Sequence, residues 1–383
     1  MEKTDLTADL PEVPLAYGAR TRPSPFFEST LHHGVGAFSV YNHMMMPDYI
    51  EGVVEDYWNL VEGVSIWDVG CERQVEITGP DAAAFTQYLV TRDVERIDPG
   101  SARYTLVCRD DGGILNDPVL LRLAEGHFWL SLADSDLLLW AMGVSHHSGY
   151  DVALREPDVS PLQVQGPRSL ELMQRVFGDL VDNLGFYRFV ETTLDGVPLV
   201  VARTGWSGEV GFEVFLRDGS RGGWLWDRVF SAGEGLGVKL GAPNNVRRIE
   251  AGLMSYGTDM DASTNPWEVG LDKFVDLDGE DEFIGRRALA DVAANGPRRR
   301  RIGLVISGEP IGQGPIRWWK VTRNGDDAGF VTSAVWSPGL ARNIAYALVS
   351  AEFADEERFE VSTPVGPRAA RRSPIPFVAP RYR

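Results

Sequence analysis

The stretch TGWSGEVGFE at residues 204–213 combines a tight turn, an aromatic side chain and a carboxylate. Its glycines allow turn conformations, and the apolar and β-branched residues at 200–204 and 212–216 predict two paired strands. Trp206 then lies at the tip of a hairpin, and Glu213 offers two acceptor oxygens to a flat, donor-rich heterocycle. The local sequence leaves a second interpretation open, an ordinary turn with an exposed tryptophan and a solvated glutamate.

Six further segments surround this hairpin in a fixed order along the chain. They are GPDAAAFTQYLVTRDV (79–94), DGGILNDPV (111–119), LQVQGPRS (162–169), RRIEAGLMSYGTDMD (247–261), NPWEVGL (265–271) and DEFIGRRAL (281–289). With the hairpin, they resemble segments of the glycine-cleavage T-protein family, the tetrahydrofolate-dependent aminomethyltransferases, in the order of that family. Isolated chance matches do not reproduce such an order over most of a chain.

Another set of stretches resembles one branch of that family, the dimethylsulfoniopropionate demethylases, which move a sulfonium methyl group to tetrahydrofolate. The stretches are SVYNHMMMP (39–47), EDYWNL (55–60), CERQVEITG (71–79), WLSLADSD (129–136) and EPDVSPLQVQGP (156–167).

The resemblance implies an α+β fold of three domains in a cloverleaf around a central folate-binding channel, the last domain being a C-terminal β-barrel. The sequence pattern agrees, because helical and strand segments mix without βαβ regularity and residues 302–376 are rich in strand patterns. We predict an N-terminal arm at 1–32, a folate-binding region of two intertwined α+β domains at 33–295 with a split near 155, and a barrel domain at 296–383.

Apolar periodicity and turn residues predict the individual elements. Helices are expected at 49–67, 81–89, 169–177, 223–232 and 245–256, and strands at 75–77, 103–108, 114–122, 128–132 and 162–165. The four arginines at 298–301 are interpreted as solvated residues of a linker and of the strand that follows it, outside the site.

The composition restricts the possible partners. With 37 basic and 55 acidic residues the net charge is −18, which argues against a surface for nucleic acid or an anionic membrane. Cys71 and Cys108 form no CxxC pair, so neither a disulfide framework nor a metal site is expected. No apolar run is long enough to span a membrane, and the start of the chain does not read as a signal peptide. We expect a cytoplasmic protein that binds small molecules, and the oligomeric state stays open.

Asp117, in DGGILNDPV, is the predicted reactive carboxylate. Gly112 and Gly113 indicate a turn before it, and Pro118 restricts the backbone behind it. The resemblance implies a catalytic role, because Asp117 matches the second aspartate of the family pattern GGxxDD. Asn116 replaces the first, which removes a negative charge beside the reacting nitrogen and weakens the aminomethyltransferase interpretation. A structural cap is the alternative for Asp117.

The resemblance also implies the folate contacts. Tyr104 matches a tyrosine of the folate site and is assigned there and to catalysis. Trp206 replaces a tyrosine and keeps its aromatic face, and Glu213 matches the pterin-binding glutamate. Arg203 is a further folate candidate and, with Arg73 and Arg103, a candidate for the carboxylate of the substrate.

Other matched positions differ from the aminomethyltransferases. Leu132, Asn244 and Leu253 stand where those enzymes tend to have Asn, Arg and Tyr. The end of the site at which the transferred group reacts therefore differs from that of the aminomethyltransferases. Arg248 and Glu250 match the family but read equally well as a structural salt link on a helix.

Aromatic residues are the candidates for binding a methylated cation. Tyr41, Trp129 and Trp267, together with Asn116, are assigned to the substrate. Aromatic faces attract sulfonium or ammonium groups by about 0.5–2 kcal/mol per contact. Burial in the core is the alternative for each tryptophan.

The sequence therefore predicts a tetrahydrofolate-dependent S-demethylase that gives 5-methyltetrahydrofolate and a methylthio acid. An N- or O-demethylase or an aminomethyltransferase on the same fold is the nearest alternative. A non-enzymatic folate-binding factor is the alternative of a different class, although its cysteine motif is not matched by CERQ or VCRDD.

Overall fold

The computed structural model describes residues 18–382. Within this range the helices are α1 (Phe27–His32), α2 (Val53–Glu62), α3 (Ala82–Leu89), α4 (Leu137–Ser148), α5 (Ser169–Phe177), α6 (Gly222–Ala232), α7 (Asn245–Glu250), α8 (Pro266–Val269) and α9 (Arg286–Asn295). None of these helices is long and apolar enough to cross a membrane.

The strands of the described residues fall before and after residue 296. The first group is β1 (Ala37–Tyr41), β2 (Met44–Tyr49), β3 (Ser65–Asp68), β4 (Gln74–Thr78), β5 (Ser101–Tyr104), β6 (Val107–Cys108), β7 (Ile114–Asn116), β8 (Val119–Ala124), β9 (His127–Ser131), β10 (Ala153–Arg155), β11 (Ser160–Gln165), β12 (Phe189–Leu194), β13 (Val197–Ala202), β14 (Gly211–Leu216) and β15 (Lys239–Gly241). The second group is β16 (Arg299–Ile306), β17 (Trp319–Arg323), β18 (Asp326–Ser337), β19 (Arg342–Ser350), β20 (Arg358–Thr363) and β21 (Gly366–Ser373).

Two sheets form the body of the molecule before the barrel. One has the order β12-β13-β14-β11-β3-β15, and the other has the order β10-β4-β9-β8-β5. Helices α5 and α6 cover the outer face of the first sheet, and α3 and α4 cover that of the second. The inner faces meet through Leu121, Trp129, Val200 and Phe215. Each apolar sheet face is thereby buried against another layer, as an α+β fold requires.

The C-terminal strands close into a barrel in the order β16-β19-β18-β17-β20-β21. Its interior is filled by buried apolar side chains that include Leu304, Val321, Val331 and Val361. Helix α7 packs on β18 and β19 and connects the barrel to the sheets. The predicted α+β class with a C-terminal β-barrel is confirmed, whereas the domain limits stay predictions.

Two predicted helices are too long. The helix predicted at 49–67 ends at Glu62, and residues 65–68 form β3, which is buried between β11 and β15. A short apolar run cannot be assigned to helix or buried strand from periodicity alone. The helix predicted at 245–256 ends at Glu250, because the chain turns at Gly252, whose φ of +86° ends the helical path.

The N-terminal arm predicted at 1–32 includes residues that pack against the first sheet. Phe26 is fully buried, and its ring centroid lies 6.4 Å from that of Trp226 on α6. Residues 27–32 form α1 rather than an extended arm. Phe26 fills an apolar site on the first sheet. Residues 1–17 of the predicted arm lie outside the described residues.

The basic run at 298–301 leads into a strand, as expected, but two of its side chains are engaged with other residues rather than solvated. Arg299 to Arg301 belong to β16, and Arg299 pairs with Glu268 at 3.0 Å. The guanidinium of Arg301 lies 5.0 Å from the ring centroid of Tyr346 and donates to the carbonyl oxygen of Gly252. Both side chains therefore join the barrel to the segment before it.

We expect Phe26→Ala to destabilise the protein by about 3 kcal/mol, because it leaves a cavity in the core. Leu31→Ala is the matched control, since Leu31 lies on α1 with 46% of its surface exposed, and should cost below about 1 kcal/mol. Urea denaturation of both variants measures the difference. Equal effects of the two substitutions would show that residues 24–32 do not form part of the core.

Candidate functional site

The loop between β13 and β14 is wrapped around the side chain of Gln165. The hydroxyl of Ser207 donates to Gln165 Oε1 at 2.7 Å, and Gln165 Nε2 donates to the carbonyl oxygen of Thr204 at 3.3 Å. A Cβ atom at Gly205 or Gly211 would come within 2.3 Å of this amide. The glycines of the motif therefore permit close contact with β11, and the loop has a fixed position beside the sheet.

Glu213 is buried on β14 opposite Gln163 of β11. Gln163 Nε2 donates to Glu213 Oε1 at 2.6 Å, and the hydroxyl of Thr204 donates to Oε2. The same amide nitrogen lies 3.5 Å from Oε1 of Glu72. Burial raises the pKa of both carboxyl groups, and for Glu72 the charges of Glu213 and Asp117 raise it further. We call Glu72, Asp117 and Glu213 the acidic cluster.

Asp117 lies between β7 and β8, next to Tyr104 at the end of β5. The Tyr104 hydroxyl donates to Asp117 Oδ2 at 2.8 Å. Oδ1 is shielded from solvent and has no hydrogen-bond partner among residues 18–382. Burial raises the pKa of Asp117 to about 7, although the bond from Tyr104 lowers it. The group can therefore exchange a proton near neutral pH, and one of its oxygens is free for a ligand.

Tyr41 reaches this region at the tip of the β1–β2 hairpin. Asn42 and His43 have positive φ angles of 49° and 61°, as a tight two-residue hairpin turn requires. The backbone N–H of Asn42 donates to Asp134 Oδ1 at 2.7 Å, and its side chain donates to the carbonyl oxygen of Cys71 at 3.1 Å. Burial, then the charges of Asp117 and Glu72, raise the pKa of Tyr41 well above its ordinary value.

Trp206 is partly buried and held at both its edge and its face. Its Nε1 donates to the carbonyl oxygen of Met254 at 3.0 Å, and the guanidinium of Arg248 lies 5.6 Å from its ring centroid. The side chain is thus fixed rather than exposed at a free tip.

Asn116, predicted as a substrate contact, forms hydrogen bonds within the protein. Its Nδ2 donates to the carbonyl oxygen of Ala133 at 2.9 Å and to Ser135 Oγ at 2.8 Å. Its Oδ1 accepts from the backbone N–H of Ala133 at 3.1 Å. Both amide hydrogens are used, and the side chain is buried, so it fixes the turn that carries Asp134.

Trp129, predicted as a substrate residue, lies in the core. It is fully buried between the two sheets, where its Nε1 donates to Glu76 at 3.1 Å and its ring packs against Phe215. This interior position leaves no face for a substrate, so the alternative of burial in the core holds.

Trp267 and Arg203 are bound to other parts of the fold. Trp267 lies on the short α8 and packs against the apolar cluster between the sheets and the barrel. Arg203 donates to the carbonyl oxygens of Leu184 at 3.1 Å and Tyr382 at 3.3 Å. The structure does not place either residue in contact with the acidic cluster, and their ligand roles stay predictions.

The matched pair Arg248 and Glu250 is structural, but the two residues do not pair with each other. Arg248 forms a buried ion pair with Asp259, whose Oδ1 accepts from Ser333 of the barrel at 2.6 Å. Glu250 accepts from Ser337 at 2.5 Å. Among the divergent positions, Asn244 caps α7 by accepting from the backbone N–H of Arg247 at 2.9 Å.

Three residues near Asp117 were missed by the sequence analysis. Glu72 lies in the quoted stretch CERQVEITG, where the cysteine had been considered instead. Tyr256 lies in RRIEAGLMSYGTDMD, and burial together with the charges of Asp261 and Asp117 raises its pKa to about 12. Arg301 is close enough for its charge to act on Tyr104, whose pKa burial and the neighbouring Asp117 nonetheless raise well above its ordinary value. The matched segments contained Glu72 and Tyr256, but no local pattern showed that they meet.

The thiols do not suit the cysteine chemistry of a folate-binding factor. Cys71 and Cys108 are both buried and free. Burial raises the pKa of Cys71 well above its ordinary value and that of Cys108 to about 12, which disfavours the thiolate. No group of three or more His, Cys, Asp or Glu within residues 18–382 is arranged to hold a metal ion.

A hairpin that holds a buried glutamate, an aspartate that titrates near neutral pH and a terminal barrel define a folate-dependent transferase. Residues 26–279 match the model of the GCVT N-terminal domain, and residues 299–378 match that of the glycine cleavage T-protein C-terminal barrel domain. The chain belongs to the glycine-cleavage T-protein family.

Individual relatives cover nearly the whole chain. A dimethylsulfoniopropionate demethylase of Ruegeria pomeroyi is 43% identical over 91% of this chain and 95% of its own length. An aminomethyltransferase of Rubrobacter xylanophilus is 36% identical over 93% and 94%. The crystal structure of glycine cleavage system aminomethyltransferase T from Bartonella henselae has a TM-score of 0.85 at 24% identity, and the match covers 94% of this chain and 99% of that one, which shows the same fold.

We expect Asp117→Asn to stabilise the protein in a pH-dependent way. The pKa of about 7 in the folded state lies above the ordinary value of 3.8, so the stability due to this group is lost as the pH rises from about 4 to 7. The variant has no charge to bury, and its thermal midpoint should exceed that of the wild type by about 2–4 °C at pH 8 and by less at pH 5.

Asp110→Asn is the control, because Asp110 is an exposed aspartate in the same segment. It should change the thermal midpoint little at either pH. An equal gain from Asp117→Asn at pH 5 and pH 8 would contradict the raised pKa.

Proposed function

We propose that the chain transfers a methyl group from a small sulfonium compound, dimethylsulfoniopropionate or a close analogue, to N5 of tetrahydrofolate. The products are 5-methyltetrahydrofolate and a methylthio acid. One observation carries the proposal. Asp117, a carboxylate that titrates near pH 7, has a free oxygen in an enclosed acidic cluster. The neighbouring position holds a structurally engaged Asn116 rather than a second acid.

The electron and proton balance of the reaction needs one base and no acid. The N5 lone pair of tetrahydrofolate supplies the nucleophile. As the new N5–C bond forms, the C–S bond breaks and its electron pair leaves on a neutral thioether. Asp117 stabilises the positive charge that develops on N5 and then accepts the N5 proton. Alignment of the two reactants accounts for much of the remaining reduction of the activation barrier, with about 7 kcal/mol or more available from proximity.

The charge around the reacting region favours a cationic methyl donor. Asp117, Glu72 and Asp134 all act electrostatically on the Tyr41 hydroxyl, which places three carboxylates near that side chain. A sulfonium or quaternary ammonium group would relieve this concentration of negative charge, and the Tyr41 ring offers a face for it. A neutral methoxy-aryl donor would bring no positive charge and would require an acid to protonate its leaving group.

The similarity to a dimethylsulfoniopropionate demethylase supports sulfur rather than nitrogen as the atom that loses the methyl group. The aminomethyltransferase alternative is supported by other relatives, but that reaction requires an acid for the departing amine. Asn116 cannot supply that acid, because its amide is fully engaged.

Mass spectrometry of 5-methyltetrahydrofolate tests the donor directly. Purified protein is incubated with tetrahydrofolate and separately with sulfonium, quaternary ammonium and methoxy-aryl compounds. We expect product with dimethylsulfoniopropionate and none with the neutral ethers, because only cationic donors fit the acidic surroundings of Tyr41. Product from an ammonium donor alone would show that the methyl donor is an ammonium rather than a sulfonium compound. Absence of product from every sulfonium compound would refute the proposal.

The pH dependence of kcat/KM tests the role of Asp117. Activity should rise with pH through an apparent pKa near 7 as the carboxylate forms. Because the Tyr104 hydroxyl lowers this pKa, Tyr104→Phe should move the rise to higher pH. Tyr256→Phe is the control, since the Tyr256 hydroxyl donates to the carbonyl oxygen of Ile114 at 3.3 Å instead of to Asp117. An unchanged profile in Tyr104→Phe would contradict this assignment.

A further inference from the structure

Glu72 is the member of the acidic cluster whose only hydrogen-bond donor is shared with another carboxylate. Within residues 18–382 that donor is Gln163 Nε2, which lies 3.5 Å from Glu72 Oε1. The same nitrogen lies 2.6 Å from Glu213 Oε1, so its bond to Glu213 is the shorter one. A carboxylate that is removed from water needs hydrogen-bond donors or a nearby cation. Glu72 therefore has a charge that the protein compensates poorly.

The basic residue next to Glu72 in the sequence does not neutralise it. Arg73 Nε donates to Glu156 at 2.9 Å, so this guanidinium is engaged elsewhere. Burial, and then the charges of Glu213 and Asp117, raise the pKa of Glu72, and no cation lowers it. The surroundings of Glu72 are therefore negative on every side from which a charge acts on it.

A second uncompensated acceptor belongs to the amide beside Glu72. Gln163 is 1% exposed, and its Oε1 has no hydrogen-bond partner within residues 18–382. Its Nε2 is already used by two carboxylates. Buried polar atoms without partners are few in folded proteins, and each calls for an explanation. A ligand that brings positive charge to this region supplies one.

Glu72 lies near the aromatic ring assigned to the methyl donor. The carbonyl oxygen of Cys71 accepts from Asn42 Nδ2 at 3.1 Å, which joins the tip of the β1–β2 hairpin to the residue before Glu72. Burial raises the pKa of Tyr41, and the charges of Asp117 and then of Glu72 raise it further. An aromatic face and a poorly compensated carboxylate are thus both available to a cation in one region.

The other carboxylates that act on Tyr41 have hydrogen-bond donors of their own. Asp134 Oδ1 accepts from a backbone N–H of the hairpin at 2.7 Å. Asp117 accepts from the Tyr104 hydroxyl at 2.8 Å and is assigned to the reacting nitrogen. Of these three carboxylates, Glu72 is therefore the one with most to gain from a cationic partner.

We propose that Glu72 is the counter-ion of the sulfonium centre of the methyl donor and gives the site its preference for cationic over neutral donors. The inference rests on the proposed function and names the residue that selects the charge of the donor. A cation beside Glu72 replaces the missing hydrogen-bond donors by Coulomb attraction, which is strong away from bulk water. The thioether product is neutral, so this attraction ends with the transfer, and product release is favoured.

Equilibrium binding of two ligands of nearly the same shape tests the assignment. Dimethylsulfoniopropionate and 4-methylpentanoate have the same carboxylate, but only the former has a cationic centre. Both are titrated calorimetrically in the presence of 5-formyltetrahydrofolate, whose substituted N5 prevents methyl transfer. We expect the wild type to bind the sulfonium compound more tightly. Glu72→Gln should reduce this preference about 10-fold or more, because a charge interaction is lost.

Two further variants serve as controls for the binding experiment. Glu72→Asp keeps the charge and should keep much of the preference for the cation, which a purely structural role of Glu72 would not explain. Glu62→Gln removes an exposed carboxylate at the end of α2. It should leave the preference unchanged, because distant exposed charges are screened by salt.

Turnover with dimethylsulfoniopropionate provides a second readout. Glu72→Gln should raise KM about 10-fold or more and change kcat less, because positive charge leaves the sulfur as the methyl group moves. A loss in kcat with KM unchanged would contradict the role of counter-ion in the bound donor.

An unchanged cation preference in Glu72→Gln, or equal binding of the two ligands by the wild type, would overturn the inference. Weaker binding of 5-formyltetrahydrofolate by Glu72→Gln with the cation preference intact would also overturn it and assign Glu72 to the folate. Failure of every sulfonium compound to methylate tetrahydrofolate alongside a Glu72-dependent preference would reject the proposed function and leave the cation site standing. Methyl transfer from a sulfonium compound together with a Glu72-independent preference would do the reverse.

Discussion

The enclosure of three carboxylates in one region is the constraint on which this site depends. Asp117 and Glu213 lie close enough for their charges to act on Glu72, and burial disfavours the ionised form of each of the three. Such groups persist only where hydrogen bonds compensate for the water they have lost. Gln163 and Thr204 provide this compensation for Glu213, and Tyr104 provides it for Asp117.

The surrounding fold can be understood as the means of placing those donors. Gln163 and Gln165 alternate along β11 with apolar residues, so both amides lie on one face of the sheet, the face that also carries Glu213 and meets the glycine-rich loop. One amide supports the carboxylate, and the other supports the loop. Hydrogen-bond donors or positive charge would relieve the remaining cost of removing these carboxylates from water, which supports the proposal of a donor-rich heterocycle beside a cationic methyl donor.

The sequence was sufficient where a local pattern determines the structure. Helix α5 has the predicted bounds, since its apolar residues recur at helical spacing and Gly178 follows it. The pairing of β13 with β14 follows from the glycines between them. The overall fold was reached through resemblance, because nothing local indicates that β3 joins a sheet whose other strands lie after residue 159. Burial between neighbouring strands makes these residues a strand, although their apolar pattern fits a helix equally well.

The same limit applies to the candidate site. Asp117, Tyr104, Glu213 and Tyr41 were predicted, and the structure brings their side chains into one neighbourhood. Trp129 was predicted with them, but strand alternation alone does not reveal which face of β9 meets a second sheet. Glu72 and Tyr256 were missed because their significance lies in neighbours that are distant along the chain. Such neighbours are recognised only once the fold is known.

Asn116 is one departure from the family pattern that affects both Asp117 and the hairpin of Tyr41. An aspartate there would lack the hydrogens that Asn116 donates to Ala133 and Ser135. Those bonds fix the turn that carries Asp134, and Asp134 in turn accepts from the backbone of Asn42 at the hairpin tip beside Tyr41. The amide therefore removes a negative charge beside Asp117 and also fixes the turn that brings Tyr41 to the site. Asp117 is thereby left without an acidic neighbour along the chain, which is consistent with the proposed methyl transfer from a cation to an amine.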